Sequence, residues 1–314
     1  AAPEPTAKSP PTAESQAAAE SPPAAEPPGT TRADRPTAAM DQRFRRIRAL
    51  GHGGFGSVWL AADDQLGRMV AVKIANNPDP RTVQRTMREA RALAAVNHPN
   101  CVHLYDIVDE SDGLAIVMQY IPGQGLGELV GGGGVLTDVA AARLWATLAS
   151  ALSAAHEQGV LHRDIKPSNV IVDEGGAPHL IDFGIARAQG DATLTSPGTM
   201  VGTPDYLAPE TATGSPASAA SDSWQLAATV CFALSGHPPR GEHDSPMSAL
   251  MAAAHADPCT RVPERTAHRA LLIEALDADP IRRPALREVR ARLENWLARA
   301  HLAASGPVTE QLRR

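Results

Sequence analysis

The hydrophobic pattern of this chain changes period at Pro122, and that change restricts the fold more than any other feature of the sequence. Before it, short apolar runs recur, VWLA at 58–61, MVAVKIA at 69–75 and LAIVMQYI at 114–121, separated by turns containing Gly and Asp. Runs of this length predict strands. One interval breaks the series: Val83, Met87, Ala90, Leu93 and Ala94 recur at helical spacing within 81–96, so a single helix interrupts a small sheet. After Pro122 the amphipathic stretches at about 137–158, 222–235, 246–255, 266–277 and 285–301 predict helices. The order is a small β-rich lobe followed by a larger α-rich one. Within the larger lobe, the loop-rich interval 159–216 is too long for a passive connector in a compact domain, which marks it as a place for function. The run GGGG at 131–134 reads as a flexible turn.

Residues 1–39 contain no Leu, Ile, Val, Phe, Trp, Tyr, Met or Cys, and so cannot bury enough apolar area to offset the entropy of ordering. Proline pairs at 10–11, 22–23 and 27–28 favour extended conformers over helix. Segment 1–40 is therefore expected to be a disordered Ala/Pro-rich tail, an entropic linker in preference to a docking motif. The small lobe is expected over 44–121, the large lobe over 122–300, and a flexible C-terminal tail over 301–314.

An apolar share of 43% over 314 residues supports a true core. The formal charge of −6 provides no general basic field for a nucleic-acid backbone and no local basic patch stands out, so no nucleic-acid partner is expected. Cys101, Cys231 and Cys259 are odd in number, far apart and without a C-x-x-C spacing, which argues for reduced, buried thiols over a disulfide framework or a zinc site. The longest apolar stretch, Leu226 to Leu234, falls far short of the roughly 20 residues of a membrane-spanning helix. No basic segment leads into a leucine-rich core at the start of the chain, so the expected location is cytoplasmic.

Four sequence features carry chemistry. GHGGFGSV at 51–58 spaces Gly51, Gly53, Gly56 and Val58 as G-x-G-x-x-G-x-V, which lets backbone pass close over phosphates. A dinucleotide-binding turn or a plain hairpin would give the same pattern, but here a strand continues where a dinucleotide fold would start its helix. Lys73 ends the strand-like VAVK and is either a surface charge or a cation delivered into a cleft; Glu89, in the helix that follows, could hold that ammonium against α- and β-phosphates. HRDIKPSN at 162–169 and DFG at 182–184 then place Asp164, Lys166, Asn169 and Asp182 in one loop region, a combination too specific for a plain turn.

With these residues the chain resembles the protein kinase family over about 44–298. The resemblance implies an α+β, bilobal protein kinase fold, with a small antiparallel sheet and one helix in the N-lobe and a mainly helical C-lobe. It implies ATP and Mg²⁺ as cofactors, with Mn²⁺ as an alternative ion. Asp164 would accept the proton of a substrate hydroxyl, Asp182 and Asn169 would offer oxygens to the metal, and Lys166 would steady the transferring phosphoryl group. A lysine two residues after this Asp is the mark of serine/threonine kinases. His162 would be a packing residue, stacked with Leu93, Leu104 and Phe183; Val58, Ala71 and Ile171 would enclose adenine. Met118 falls at the gatekeeper position, with Gln119 to Ile121 as the hinge, and Gln119 stands where relatives often have Glu.

The stretch from Asp182 to APE at 208–210 resembles an activation segment carrying Thr193, Thr195, Ser196 and Thr199. Thr195 is the expected autophosphorylation site and Thr199 the second, with Arg163 placed to pair with the added phosphate. Thr203 resembles the threonine that bonds the catalytic loop, Glu210 and Arg283 the pair that ties the segment to the C-terminal helices, and Asp222 the residue that holds the catalytic-loop backbone.

HRDIKPSN together with VGTPDYLAPE is most similar to bacterial eukaryotic-like, Hanks-type serine/threonine kinases. Expected partners are protein substrates and a second copy for autophosphorylation in trans. Two alternatives stand: a pseudokinase scaffold that binds nucleotide and partners without transfer, and a small-molecule kinase of the same fold. Lys73, Glu89, Asp164, Asn169 and Asp182 are all present, against the first; APE and Thr203, which build a platform for an extended peptide, count against the second.

Overall fold

The computed structural model describes residues 43–53, 56–76, 80–110, 113–184, 204–303, 305–309 and 312–313, all within the unit Pro36–Arg314. The expected tail at 1–40 lies outside the described residues, as do Thr193, Thr195, Ser196, Thr199 and Thr203.

The first lobe is built on five strands, β1 (Phe44–Gly53), β2 (Gly56–Asp63), β3 (Arg68–Asn76), β4 (Leu104–Glu110) and β5 (Gly113–Gln119), in the order β1-β2-β3-β5-β4 with every pair antiparallel. The period-two rule sorts its side chains. Phe44, Ala61, Val70, Val72, Ala115 and Val117 form a small buried core on one side of the sheet. Their neighbours in sequence point the other way, and the register aligns them: Val58 faces Lys73, which faces Ile116, and Leu60 faces Ala71, which faces Met118. Directly opposed residues share a face, so these six side chains line the side of the sheet that looks towards the second lobe.

Helix α1 (Pro80–Ala94) closes that side, with Ala90 and Leu93 buried in the main core together with C-lobe residues. The large lobe contains β6 (Gly123–Gly125), α2 (Leu126–Gly133), β7 (Val135–Leu136), α3 (Asp138–Glu157), β8 (Val170–Asp173), β9 (Pro178–Leu180), α4 (Pro209–Ala212), α5 (Ala219–Ser235), α6 (Pro246–Ala254), α7 (Arg269–Ala275) and α8 (Leu286–Arg299). Strands β6, β8 and β9 make a three-stranded antiparallel sheet at its cleft edge. Helix α5 runs through the centre, buried on nearly every side from Ser221 to Leu234. Its entry is fixed by a reciprocal capping box between Ser218 and Ser221.

Two expectations need correction. Gly131 to Gly133 are helical, because Leu126, Leu129 and Val130 anchor α2 in the core and packing overrides the poor propensity of glycine; only Gly134 caps it, at φ 96°. The segment after 301 is not a free tail over its described part: Val308 is fully buried, and Leu312 and Arg313 form β10 against β7.

The thiols behave as expected of buried groups, with Cys101 and Cys231 each pushed up to about 12 by desolvation; Cys259 is half-buried. No helix among the described residues is long and apolar enough to cross a membrane.

Candidate active site

The loop at 162–169 is held from beneath by α5. Asp222, fully buried, accepts from His162 N–H and Arg163 N–H, each at 2.8 Å. His156 Nε2, at the end of α3, donates to the same carboxylate at 2.8 Å. One turn along α5, Gln225 Oε1 accepts from Ile165 N–H at 2.9 Å and its Nε2 donates to Arg163 O at 3.4 Å. These bonds impose an unusual backbone on Arg163, which sits at φ 67°; Asp182, which they do not reach, is also left-handed, at φ 58°. Left-handed non-glycine residues cost roughly 1–3 kcal/mol each and persist only where their surroundings over-determine them. Asp222 was legible in the sequence; Gln225 follows from it, three residues on along one helix face. Nothing in the pattern points to His156.

His162 belongs to the packing. Its ring lies 4.6 Å from that of Phe183, and Leu93, Leu104 and Phe183 meet around a small cavity whose wall also contains Lys73, Met118 and Asp182. Its Nε2 donates to Ile181 O at 3.0 Å and its Nδ1 accepts a long bond from Asp164 N–H at 3.4 Å, a neutral-ring arrangement. Burial lowers its pKa, against the opposing pull of Asp222, Asp164 and Asp182.

A histidine kept neutral in the folded state but free to protonate when unfolded makes the unfolded form bind more protons as pH falls. The stability it supports is therefore present above the ordinary histidine value of about 6.5 and lost below it. We expect the urea midpoint to drop between pH 7.5 and pH 5.5, and His162→Phe, which keeps a ring against Phe183, to shrink that drop. An unchanged pH dependence would refute the assignment.

The chemical groups converge. Asp164 Oδ2 receives Lys166 Nζ at 3.1 Å and Asn169 Nδ2 at 3.1 Å, and Asn169 Nδ2 also donates to Asp164 O at 2.7 Å. Both bonds engage the amide nitrogen, so Asn169 presents its Oδ1 elsewhere. Asn169 O accepts from Ile181 N–H at 3.0 Å, which ties this residue to the strand end that carries Asp182. Lys73 Nζ forms an ion pair with Asp182 Oδ1 from the opposite lobe.

Glu89 is the correction. It does not hold Lys73 but takes Arg163, Oε1 to Nη1 at 2.7 Å. Spacing places Glu89 on the cleft face of α1, yet it cannot tell which of two cations that carboxylate meets, and Lys73 already has a carboxylate in Asp182. The pair is incomplete: Glu89 Oε2 and Arg163 Nε are buried without a hydrogen-bond partner.

Ala71 and Met118 share the cleft face described above, and Ile121, the end of the expected hinge, is buried. Gln119 N–H donates to His103 O at 2.8 Å while its side-chain Oε1 accepts from His103 N–H at 3.3 Å, so the side chain in this position bonds its own lobe. On β8, Ile171 lies half-buried between the fully buried Val170 and Val172. Gly51, Gly53 and Gly56 lie at the β1–β2 end of the sheet, with Gly51 paired to Val58.

The donors suit a hard cation. Asp182 and Asn169 offer oxygens, and no cluster of three or more His, Cys, Asp or Glu able to hold a metal occurs among the described residues. Magnesium fits that pattern, since it takes one or two protein oxygens and completes its shell with phosphate and water in place of an all-protein cage.

Beyond the cleft, Arg283 is buried and forks onto Glu210 at 2.6 and 2.8 Å, pinning the residues after 204 to the helices behind them.

The comparisons agree with this geometry. The family model "Protein kinase domain" matches residues 44–293. Serine/threonine-protein kinase pkn2 of Myxococcus xanthus is 34% identical over 283 residues, 85% of this chain and 33% of that protein. Serine/threonine-protein kinase PrkC of Bacillus subtilis is 37% identical over 202 residues, 63% of this chain and 31% of its own. Serine/threonine-protein kinase PknB of Mycobacterium tuberculosis is 36% identical over 248 residues, 76% and 39% respectively. The chain thus spans about a third of the length of the curated relatives it matches. It belongs to the protein kinase family and, within it, to the bacterial eukaryotic-like, Hanks-type group.

Proposed function

We propose that this chain transfers the γ-phosphoryl group of ATP to serine or threonine hydroxyls of proteins. One observation carries the reading: Asp164, Lys166 and Asn169 form a hydrogen-bonded cluster beside the Lys73–Asp182 pair, at the junction of the two lobes. When bound, Mg²⁺–ATP supplies the transferable group and the charge neutralisation. Asp164 takes the proton of the attacking hydroxyl and orients it. Lys166, already within reach of Asp164, places a cation beside the developing negative charge. Asp182 and Asn169 hold the metal through oxygen. Lys73 turns to the phosphates, and Val58, Ala71, Ile171, Met118, Gln119 and Ile121 receive the base, with Gly51, Gly53 and Gly56 over the phosphates.

Regulation follows from Arg163. A phosphate added at Thr195 or Thr199 competes for its guanidinium, whose present partner is Glu89. Glu89 is then released to meet Lys73. Incubation with ATP is expected to give phosphopeptides containing Thr195, then Thr199, formed between two copies of the chain. Arg163→Gln should reduce the accompanying rise in activity severalfold. An unmodified loop in an active enzyme would rule this out.

The protein-substrate reading is supported by the buried Glu210–Arg283 clamp beneath the segment that follows the loop. Assayed against a panel of small alcohols and a panel of Ser/Thr peptides, the chain should label the peptides; preferential labelling of the alcohols would reverse the reading. A cytoplasmic setting is the one that supplies this chemistry with ATP.

A further inference from the structure

The carboxylate of Asp222 is fully buried on α5, and among the described residues the one ionisable side chain bonded to it is His156, at 2.8 Å. Backbone N–H groups supply its other bonds, Arg163 to Oδ1 and His162 to Oδ2. A buried carboxylate keeps a fixed orientation only while its oxygens are paired, because an unpaired oxygen carries the full cost of desolvation and turns towards water or another donor. Oδ2 is the shared atom, taking His156 Nε2 and the His162 N–H together. The ring therefore carries its proton on Nε2 and clamps the oxygen to which the catalytic loop is tied.

The consequence lies one peptide away. Arg163, whose N–H ends on Asp222 Oδ1, holds the left-handed φ of 67°, and Asp164 follows it directly in the chain. Such a turn persists only where its surroundings over-determine it. Loosening Asp222 lets it relax and carries the Asp164 side chain off the line of attack. His156 stands in the last turn of α3, with its side chain 14% exposed, and meets the loop through Asp222, so its effect on the chemistry is one of position.

We propose that His156 is a positioning residue for phosphoryl transfer: by donating to Asp222 it fixes the strained turn at Arg163 and, with it, the placement of Asp164. This role rests on the transfer reaction proposed above.

Steady-state transfer from ATP to a Ser/Thr peptide tests it in the full chain, native and with His156→Gln, His156→Asn or His156→Leu, each corrected for the fraction that binds nucleotide. Glutamine carries an N–H donor the same number of bonds from Cα as Nε2, whereas asparagine falls a bond short and leucine has no donor. His156→Leu and His156→Asn are expected to lower kcat about tenfold or more, the scale on which a misplacement of about 1 Å acts. KM for ATP should stay within about twofold of native, since the groups that bind nucleotide are untouched. His156→Gln should recover most of the lost kcat. On an Asp164→Asn background, His156→Leu should cost little more, because the base whose placement it governs is already gone. Native kcat in His156→Leu, equal losses in all three variants, or a full additional loss on the Asp164→Asn background overturns the proposal. If His156→Leu does not fold, His156→Asn carries the test; if neither folds, His156 serves folding and not position, which also overturns it. A native chain that transfers no phosphate would sink the reaction and this role with it, an outcome distinct from all the others.

Discussion

Replacing Asp164 by Asn is expected to lower the rate of phosphoryl transfer by about 10²–10⁴-fold, the usual contribution of a positioned general base. That corresponds to about 3–5 kcal/mol of transition-state stabilisation. The amide is nearly isosteric with the carboxylate but cannot take a proton. Little else should change: the bond from Asn169 Nδ2 to the main-chain oxygen of residue 164, at 2.7 Å, is unaffected by the substitution, so the loop keeps its path. What is lost besides the base is the charge facing Lys166 at 3.1 Å. Nucleotide affinity and the thermal midpoint should therefore stay close to wild type while kcat falls, the pattern of an interaction made in the transition state. A wild-type kcat in Asp164→Asn would remove this residue from the chemistry.

The largest effect on stability is expected at Arg283. Its side chain is 1% exposed and donates to Glu210 twice, to Asp277 O at 2.8 Å, to Ala220 O at 3.0 Å and to Ala278 O at 3.2 Å. Arg283→Ala leaves a half-buried carboxylate and three carbonyls without this donor. Removing one partner of a buried pair costs about 3–5 kcal/mol, because the remaining charge stays desolvated. In a domain of this size that is roughly 10 °C in the melting temperature. Arg283→Lys should recover little, since one ammonium cannot reproduce the forked contact with Glu210. A double substitution with Glu210→Gln should recover part of the loss, the coupling expected of groups in one network. Additive losses in the double-mutant cycle would mean that the pair contributes nothing as a pair.

The elements that sequence predicts well are those fixed by period. Alternation along β3 was enough to put Ala71 and Lys73 on one face and Val70 and Val72 on the other, and the observed register adds Val58 and Met118 to the first set. Motif spacing brought Asp164, Lys166, Asn169 and Asp182 together because a short loop and a short hairpin leave few ways to separate them. Choices between near-equal partners were not legible. Glu89 has two cations within the same cleft, and which one it meets depends on the left-handed turn at Arg163, itself a consequence of bonds from Asp222 and Gln225. Gly131 to Gly133 read as a turn because composition cannot register the anchoring of Leu126, Leu129 and Val130. The segment after 301 was missed for a similar reason: a single buried valine, Val308, makes no periodic signal, and its seat is built from residues more than a hundred positions away.

The convergence of one lysine, two aspartates and one asparagine at the interlobe cleft is tested most directly by label transfer from γ-labelled ATP to a Ser/Thr protein substrate. The measurement compares the native chain with Lys73→Met and Asp182→Asn, followed by identification of the modified amino acid. The account predicts label on serine and threonine with the native chain and near-background incorporation with either variant. Equal incorporation by all three chains, or label confined to tyrosine, would contradict it.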